Sequence, residues 1–469
     1  MKLARCLSSA ALALALSACA TAGPDYHPPE NAVSTAPSAQ GAFASAKGAA
    51  FSQEPLPDRW WKLYEDPALD ALVEQALAAN TDLRVAEANL DRARAVLNEA
   101  AAARTLSTSI SGGVDVSRQS STGRALPGVV TDNLGLALSY PLDLRGKLRR
   151  AIEASSADAE ATEAARDAVR VSVAAATTSA YAKVCAANYQ LAVTQRVVQL
   201  QRQTLDATRR LQKGGRGTAF DVSRAAAAVE SSAAALPAFT AARQNSLYLL
   251  ATLLGRPPAD FPTEVAGCAT LPRLAGAMPV EDGAALIRRR ADIRAAERTI
   301  AADTARIGVA TADLYPSVSI GGSLGFSGPL HEFGSGDSFN MSLGPLLSWT
   351  FPNRPAVRAR IDQADAQVRA DLASFDGTVL EALRQAETAM ETYARDRERE
   401  AALGRAANAA GLSAQQAGKL FRFGRSDFLD LLSAQASLAS AQVSHASAQT
   451  ALVDDQIAVF LALGGGWQQ

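Results

Sequence analysis

Cysteine thiols are the side chains in this sequence with the clearest chemical use, and one of the four stands in a motif. Lys2 and Arg5 precede an apolar run over residues 10–16 that is too short to span a bilayer, and Leu16-Ser17-Ala18-Cys19 follows it. The pattern looks like a bacterial lipobox, in which residues 1–18 are removed and the cysteine is acylated. We therefore predict N-acyl and S-diacylglycerol lipid on Cys19. An ordinary secretory signal with a chance cysteine is the alternative.

The other cysteines indicate less. Cys6 lies in the removed segment, so Cys185 and Cys268 remain in the mature chain. An isolated pair in a chain this long is no disulfide framework, although an oxidising compartment would permit a bond. We interpret these two residues as unrelated buried thiols.

Catalytic and cofactor chemistry has little support. The histidines His27, His331 and His445 have no ligand spacing with one another or with a cysteine. Lys213-Gly214-Gly215 lacks the spacing and the terminal Lys-Ser/Thr of a phosphate-binding loop. A formal net charge of -1 with 20% charged residues does not suggest a nucleic-acid partner. We expect neither an enzyme nor a metal site.

The two halves of the chain align with each other almost without gaps. Leu83-Arg84-Val85-Ala86-Glu87 matches Ile293-Arg294-Ala295-Ala296-Glu297 at an offset of 210, and Leu254-Gly255 matches Leu463-Gly464 at an offset of 209. So long a duplication indicates two similar structural units rather than a solenoid of short repeats. We divide the chain into a signal peptide (1–18), a lipidated N-terminal segment (19–69), a first repeat (70–255), a connector (256–282), a second repeat (283–464) and a C-terminal tail (465–469).

Each repeat is predicted to run helix, strand, strand, very long helix, tight turn and return helix. Helical spacing of apolar residues indicates one helix over about 70–104. Alternating apolar residues predict strands over 105–117 and 131–142, and a second hairpin over 316–351. Each very long helix continues to Gly214 or Gly424, and ~70 residues at ~1.5 Å each make roughly 105 Å. The composition, 48% hydrophobic but only 6% aromatic, fits long helices packed through alanine.

Four strands of about ten residues suit a membrane β-barrel, because each has one apolar face and one small or polar face. A sheet edge cannot stay unpaired in lipid, and single-chain bacterial barrels start at about eight strands. Closure would therefore require more than one copy of this chain. Tyr140, Trp349 and Phe351 at the strand ends favour the barrel, since aromatic rings collect at lipid–water interfaces. The alternative is a pair of exposed hairpins that cap a coiled coil.

Three blocks of residues resemble the NodT-type outer-membrane efflux lipoproteins of the TolC class. They are Gly23-Pro24-Asp25-Tyr26-His27-Pro28-Pro29, Trp60-Trp61-Lys62-Leu63-Tyr64-Glu65-Asp66-Pro67 and Arg289-Arg290-Ala291-Asp292-Ile293-Arg294-Ala295-Ala296-Glu297. The blocks are long, ordered and spread over the mature chain. Ala291 stands where the family usually has proline, and Asn353-Arg354-Pro355 replaces an acidic turn that contains Gly-Gly. The subfamily therefore stays open.

The resemblance implies an OprM-like outer membrane factor of a tripartite pump, mainly α-helical with a β-barrel part. Three chains with four strands each would form a twelve-stranded outer-membrane barrel above a long periplasmic α-helical tunnel. It also implies a homotrimer that exports small molecules, set in outer-membrane lipid. Its implied partners are a periplasmic adaptor (membrane fusion) protein and an inner-membrane RND transporter.

The two helix-turn-helix tips are the candidate periplasmic gate. Gly214, Gly215 and Gly424 permit the chain reversals. The resemblance places carboxylates after the second turn at the entrance; Asp430 matches one such position, and Ser433 stands where related channels often have another aspartate. Three Asp430 side chains would constrict the entrance and favour cations.

Charged neighbours complete the candidate gate. Arg422, Arg425 and Asp427 could form ion pairs that hold the closed state or bind the adaptor, and Asp221 is the corresponding carboxylate of the first tip. Single surface ion pairs are weak, so only a linked set would hold a gate closed. The alternative is that Asp430 and Asp221 are solvated first-turn residues that complement a helix N-terminus.

Two other functions fit parts of this pattern. A TolC-like channel of a type I protein secretion system would have the same fold, but the lipobox and the Gly23-Pro24-Asp25-Tyr26 start argue against it. A lipid-anchored coiled-coil scaffold without a pore would account for the long helices alone.

Overall fold

Helices make up most of the described chain, and four long strands make up most of its remaining regular structure. The computed structural model describes residues 21–117, 120–121, 124–125, 128–351 and 354–465, so the signal peptide, Cys19 and residues 466–469 of the tail lie outside the described residues. The helices are α1 (Pro37–Gln40), α2 (Pro67–Ala79), α3 (Thr81–Ala102), α4 (Lys147–Lys213), α5 (Ala219–Ala233), α6 (Leu236–Leu253), α7 (Gly283–Arg289), α8 (Ala291–Ala312), α9 (Arg354–Arg422) and α10 (Phe428–Ala462). The strands are β1 (Phe51–Ser52), β2 (Ser107–Ser117), β3 (Ser120–Ser121), β4 (Arg124–Ala125), β5 (Val129–Leu142), β6 (Met278–Pro279), β7 (Ser317–Pro329) and β8 (Phe339–Ser348).

The two longest helices form because their sequences contain few residues that stop a helix. α4 runs for 67 residues without a glycine or a proline, and α9 runs for 69 residues with its proline, Pro355, near the start, where a missing N–H costs little. Two residues after each of these helices ends, a glycine has a positive φ: Gly215 (75°) after α4 and Gly424 (68°) after α9. Among the described residues, every helix is too short or too polar to cross a membrane.

The described chain divides into two compact units. Unit 1 contains residues 21–30, 89–163 and 295–375, and unit 2 contains residues 31–88, 164–294 and 376–465. The four long strands belong to unit 1. The connector and both helical tips belong to unit 2.

The long strands of unit 1 form one antiparallel sheet in the order β2-β5-β7-β8. Its register places apolar residues in rows on one face, such as Ile110, Leu136, Leu324 and Met341. The neighbouring row on the other face is small or polar and contains Ser109, Ala137, Ser323 and Ser342. Within the described residues, β2 and β8 each leave one edge unpaired.

The prediction of a single helix over 70–104 is wrong, because α2 ends and α3 begins at Asn80. The side-chain Oδ1 of Asn80 accepts hydrogen bonds from the backbone N–H groups of Asp82 (2.9 Å) and Leu83 (3.2 Å), as an N-cap does. Its Nδ2 donates to the carbonyl oxygen of Leu253 at the end of α6 (3.1 Å). Asn80 therefore turns the chain and ties the two ends of the first repeat together.

The return helix of the first repeat is also interrupted. α5 ends at Ala233 and α6 begins at Leu236, with Pro237 in the first turn, where its missing N–H costs little. The return helix of the second repeat, α10, is continuous over 35 residues.

The interpretation of Cys185 and Cys268 as unrelated thiols is wrong, because the structure joins them in a disulfide. Cys185 is fully buried on α4, and Cys268 lies in the connector. The two residues are 83 positions apart, while their Cα atoms are 4.7 Å apart. The fold of the connector brings them together, and no local pattern around either cysteine indicates the pairing.

Candidate functional site

The first tip joins α4 to α5 through a capped turn. The N–H of Asp221 donates to Thr218 Oγ1 (3.1 Å), and the Asp221 carboxylate accepts from the N–H (3.0 Å) and the hydroxyl (2.7 Å) of Thr218. This is a capping box, which satisfies two free donors at the start of α5. The hydrogen bonds from Thr218 lower the pKa of Asp221, so its carboxylate is ionised at neutral pH.

The second tip joins α9 to α10 through a similar turn. Gly424 has a positive φ, and the N–H of Arg425 donates to the carbonyl of Leu420 (2.9 Å). Asp427 is the N-cap of α10 and accepts from the N–H of Asp430 (2.8 Å). The Asp430 carboxylate accepts from the Ser426 hydroxyl (3.0 Å). Asp221 and Asp430 thus each lie in the first turn of a return helix, and Asp427 is the N-cap of the second.

The two tips pack against each other in unit 2. Phe428 at the start of α10 packs against a cluster on α4 and α5 that contains Val198, Leu205, Ala225 and Val229. A groove of about 370 Å³ lies between the tips, and residues of both tips line it: Thr208, Leu211, Arg216, Gly217, Asp221, Phe421, Asp427, Phe428 and Leu429. The apolar contact therefore positions Asp221 and Asp427 on one groove.

The predicted ion pairs of the gate are not formed within a single described chain. Arg422, Arg425, Asp427 and Asp430 are all exposed. Arg422 donates from Nε to the carbonyl of Gly418 (3.3 Å). Gly214 and Gly215 lie at the exposed end of the first turn. The role of these residues in a gate stays a prediction.

Polar contacts that the sequence analysis did not anticipate connect α10 to its neighbours. Gln435 donates to Thr204 Oγ1 on α4 (2.8 Å), and Gln449 accepts from the hydroxyl of Tyr189 (2.7 Å). His445 Nε2 lies 2.8 Å from a carboxylate oxygen of Glu400 on α9. Gln435 and Gln449 lie two heptads apart on α10, so a seven-residue polar spacing is the signal that could have predicted this face.

Three glycines of α9 face α10 at the same spacing. A Cβ added to Gly404, Gly411 or Gly418 would meet, in turn, His445 Nε2 at 3.1 Å, Leu438 Cδ1 at 3.8 Å and Leu431 Cδ1 at 3.9 Å. We call this row the glycine seam (Gly404, Gly411 and Gly418). At these three positions, side chains of α10 lie within 4 Å of the place that a Cβ on α9 would occupy.

A carboxyl pair lies further along the same two helices. Burial raises the pKa of Asp455 on α10 to about 7, with Asp396 on α9 and then Asp454 raising it further. Among the described residues, the buried Asp455 Oδ2 has no hydrogen-bond donor. Burial also raises the pKa of Asp454, against Lys183 and the Ser179 hydroxyl, which lower it. No group of three His, Cys, Asp or Glu residues in the described chain could hold a metal ion.

The start of the described chain is held firmly in unit 1, although Cys19 lies outside the described residues. The N–H of Ala22 donates to the carbonyl of Arg145 (2.9 Å), Asp25 pairs with Arg150 (2.6 Å), and the hydroxyl of Tyr26 donates to Glu297 (3.0 Å). Burial and Glu297 raise the pKa of the Tyr26 hydroxyl. The Gly23-Pro24-Asp25-Tyr26 block therefore docks beside the junction of β5 and α4.

Comparison with known proteins gives consistent matches over nearly the whole chain. The outer membrane efflux protein family model matches residues 72–256 and 284–465, with most of the connector between the two matches. Nodulation protein T of Rhizobium leguminosarum bv. trifolii is 31% identical over 430 residues, which cover 91% of this chain and 90% of that relative. Pyoverdine export outer membrane protein OpmQ of Pseudomonas putida is 30% identical over an alignment that covers 100% of this chain and 99% of that relative. The solved outer-membrane channel OprN superposes with a TM-score of 0.88 at 35% identity, covering 95% of this chain and 99% of that chain.

Proposed function

This chain belongs to the outer membrane efflux protein family, and we propose that it is the outer-membrane channel of a tripartite efflux system that exports small molecules. The observation that carries the proposal is the sheet of unit 1, with an apolar face, a small or polar face and two unpaired edges. Met341 and Leu343 on the apolar face are 75% and 81% exposed, which suits contact with lipid and not with water.

The unpaired edges support assembly from identical copies. Backbone N–H and C=O groups must all be paired in lipid, so β2 of one copy would pair with β8 of the next. We propose three copies, giving a twelve-stranded barrel whose Ser- and Gly-rich face lines the lumen, with the long helices continuing as a periplasmic tunnel. The similarity to the solved channel OprN supports this arrangement.

We propose that the partners of this chain are an inner-membrane RND transporter and a periplasmic adaptor, as for the outer-membrane component of a tripartite pump. The relative OpmQ is named for pyoverdine export, which supports an export role. Lipid on Cys19 would hold the chain in the outer membrane, since acyl chains anchor by about 0.8 kcal/mol per buried CH₂.

We propose the second tip as the periplasmic gate, with Asp430 from each copy facing the entrance and Asp427, Arg425 and Arg422 around it. Asp221 would take the corresponding place on the first tip. The groove that both tips line supports a joint movement of the two, because Phe428 of the second tip packs on the first.

Conductance of the purified protein in planar bilayers tests this function. We expect discrete ion-conducting steps, and Asp430→Asn is expected to lower the cation-to-anion permeability ratio about twofold or more, because three carboxylates leave the constriction. Asp206→Asn is the matched control, since Asp206 is an exposed carboxylate near the other tip, and it should leave the ratio unchanged.

Each alternative has its own outcome. A coiled-coil scaffold would give no conductance from wild-type protein, which would overturn the proposed function. A protein-secretion channel would conduct, but a deletion strain would lose one secreted protein and keep its resistance to toxic compounds. An unchanged permeability ratio in Asp430→Asn would remove Asp430 from the gate and leave the pore.

A further inference from the structure

The connector and part of the N-terminal segment form one continuous band of contacts in unit 2, which we call the belt (residues 31–65 and 256–282). β1 and β6 pair in parallel. The N–H of Met278 donates to the carbonyl of Ala50 (2.9 Å), and the N–H of Val280 donates to the carbonyl of Ser52 (3.0 Å). Two segments more than 200 positions apart in the sequence are thereby joined side by side.

The N-terminal part of the belt is attached to α9 and α10. The Glu387 carboxylate on α9 accepts from the N–H groups of Ala44 (2.8 Å) and Ser45 (2.9 Å). The Trp60 ring stacks on Phe460 of α10, with 4.7 Å between the ring centroids. Trp60 is 1% exposed, so this attachment rests on a buried aromatic side chain as well as on hydrogen bonds.

The connector part of the belt is attached to α4. Cys268 is bonded to Cys185, and one side-chain amide, Asn188 Nδ2, donates to the carbonyls of Ala266 (2.9 Å) and Cys268 (2.6 Å). Around the disulfide, the connector buries Pro262, Val265, Leu271 and Pro272, whereas residues 256–260, 269–270 and 275–277 are exposed.

The attachment to α4 therefore combines a covalent bond with hydrogen bonds and some buried side chains, and of these only the covalent bond responds to redox state. Two hydrogen bonds from one amide near the surface contribute little net stability, because water can replace them. Buried aromatic side chains attach the N-terminal part of the belt to α9 and α10, and this attachment does not depend on redox state.

We propose that the Cys185–Cys268 disulfide is a redox-sensitive lock that ties the belt to α4 while buried side chains tie it to α9 and α10. Closing the lock removes two electrons and two protons from the two thiols and passes them to a disulfide-donating oxidant of the periplasm. A dithiol reductant returns them, becomes a disulfide itself and leaves two thiols. Opening the lock releases the connector around Cys268 from α4 and leaves the pairing of β1 with β6 in place.

Limited trypsin digestion of the full-length protein in detergent tests the lock. Arg273 is the only Lys or Arg of the connector that is not followed by proline, and it is exposed. Reduction with a phosphine is expected to raise the rate of cleavage after Arg273 at least about tenfold, because the segment around Cys268 opens locally once the cross-link is gone. Cleavage after Arg216, in the exposed first tip, serves as the internal control and should change less than about twofold.

Cys185→Ser/Cys268→Ser should be cleaved at the raised rate with or without reductant. Maleimide labelling counts the free thiols, so the redox state is known in each sample. If this variant fails to fold, reduction of the folded wild-type protein still decides the matter. Reduced protein with two free thiols that is cleaved after Arg273 no faster than oxidised protein would overturn the proposal.

A second readout rests on the proposed function. If the lock restrains the pore, reduction should increase conductance fluctuations of the wild-type channel about twofold and leave the double serine variant unchanged. Oxidised protein without any conductance would count against the channel function, whereas the digestion result would still decide the lock.

Discussion

The two repeats of this chain use the same turns and helix ends but different means of holding their helices. In the first repeat, α4 is joined to the connector by a disulfide. In the second, the corresponding helix has Ala394 at the position of Cys185, and α10 carries Phe460, which stacks on Trp60, where the first repeat has Ala251. Duplication therefore preserved the architecture and allowed its stabilising contacts to diverge.

What the repeats share lies at the helix ends. Asn80 donates to the carbonyl of Leu253, and Arg290, 210 positions later, donates to the carbonyl of Ala462 (2.8 Å). Gly255 and Gly464 have positive φ values of 68° and 85° after the return helices. Unpaired carbonyls at a helix end need a donor, and a positive φ favours glycine. These positions therefore have the same structural role in both repeats.

What differs lies along the helix faces. Asp396 and Asp455 of the second repeat correspond to Ala187 and Ser246 of the first. The glycine seam corresponds to Gln195, Arg202 and Arg209. At these positions the second repeat therefore has glycines and carboxyl groups, and the first repeat has longer side chains and uncharged residues.

Exchanging Phe460 for the residue of the first repeat, Phe460→Ala, should have the largest effect. Phe460 is fully buried against Trp60 and Tyr64, so we expect the free energy of unfolding to fall by about 3–5 kcal/mol. Thermal unfolding in detergent, followed by circular dichroism, measures this. Phe423→Ala, in the exposed second tip, is the control. Equal melting of the Phe460 and Phe423 variants would show that the aromatic contact does not hold the second repeat.

Removing the hydrogen-bond donors at the helix ends should have the second-largest effect on stability, and the loss should differ between the two repeats. Arg290→Ala leaves the carbonyl of Ala462 and the carboxylate of Asp292 without their buried partner, and a loss of about 3 kcal/mol is expected. Asn80→Ala removes a neutral cap and should cost about 1–2 kcal/mol. Arg384→Ala, an exposed arginine paired with Glu381, should leave the melting temperature nearly unchanged. The comparison fails if Asn80→Ala costs more than Arg290→Ala.

Asp455 of the second repeat, which corresponds to Ser246 in the first, should make the stability of the protein depend on pH. Its pKa of about 7 lies above the ordinary value of 3.8, so the folded chain binds the proton more tightly than the unfolded chain. The stabilisation is complete below about pH 4 and is lost as pH rises through about 7. After solvent screening, we expect a loss of about 1–2 kcal/mol between pH 5 and pH 8.

Asp455→Asn, which cannot ionise, should reduce this loss in thermal melts at the two pH values. Part of the slope should remain, because burial and Asp303 also raise the pKa of Asp371. Asp82→Asn, on the first repeat, is the control. A variant at position 455 with the full wild-type slope would contradict the role of this pair.

The glycine seam should give the smallest effect. A Cβ at Gly411 would lie 3.8 Å from Leu438, which is ordinary contact, so Gly411→Ala is expected to stabilise the chain by about 0.5–1 kcal/mol through helix propensity. Gly404→Ala would place its Cβ 3.1 Å from His445, and the displaced ring should cancel this gain. Melting temperatures of the two variants measure the difference. If both rise equally, the seam has no packing role at Gly404.

Local and periodic patterns determined much of this protein from sequence. The duplication, the alternating strands and the glycine turns at Gly215 and Gly424 all depend on residues close together in the chain, so the four long strands, the very long helices and the tips were predictable. The helix break at Asn80 had a local signal too, since Asn80-Thr81-Asp82 is a typical helix start, but the apolar periodicity on both sides obscured it. The gate residues were located by resemblance, and their role stays a prediction.

Only the tertiary structure decided the contacts between distant segments. The bond between Cys185 and Cys268, the pairing of β1 with β6 and the neighbourhood of Asp396 and Asp455 each join residues that are far apart in sequence. A side chain's type restricts what it can bind, but its partner depends on how the long helices and the connector pack. That packing is a sum over many weak contacts, and no single residue encodes it.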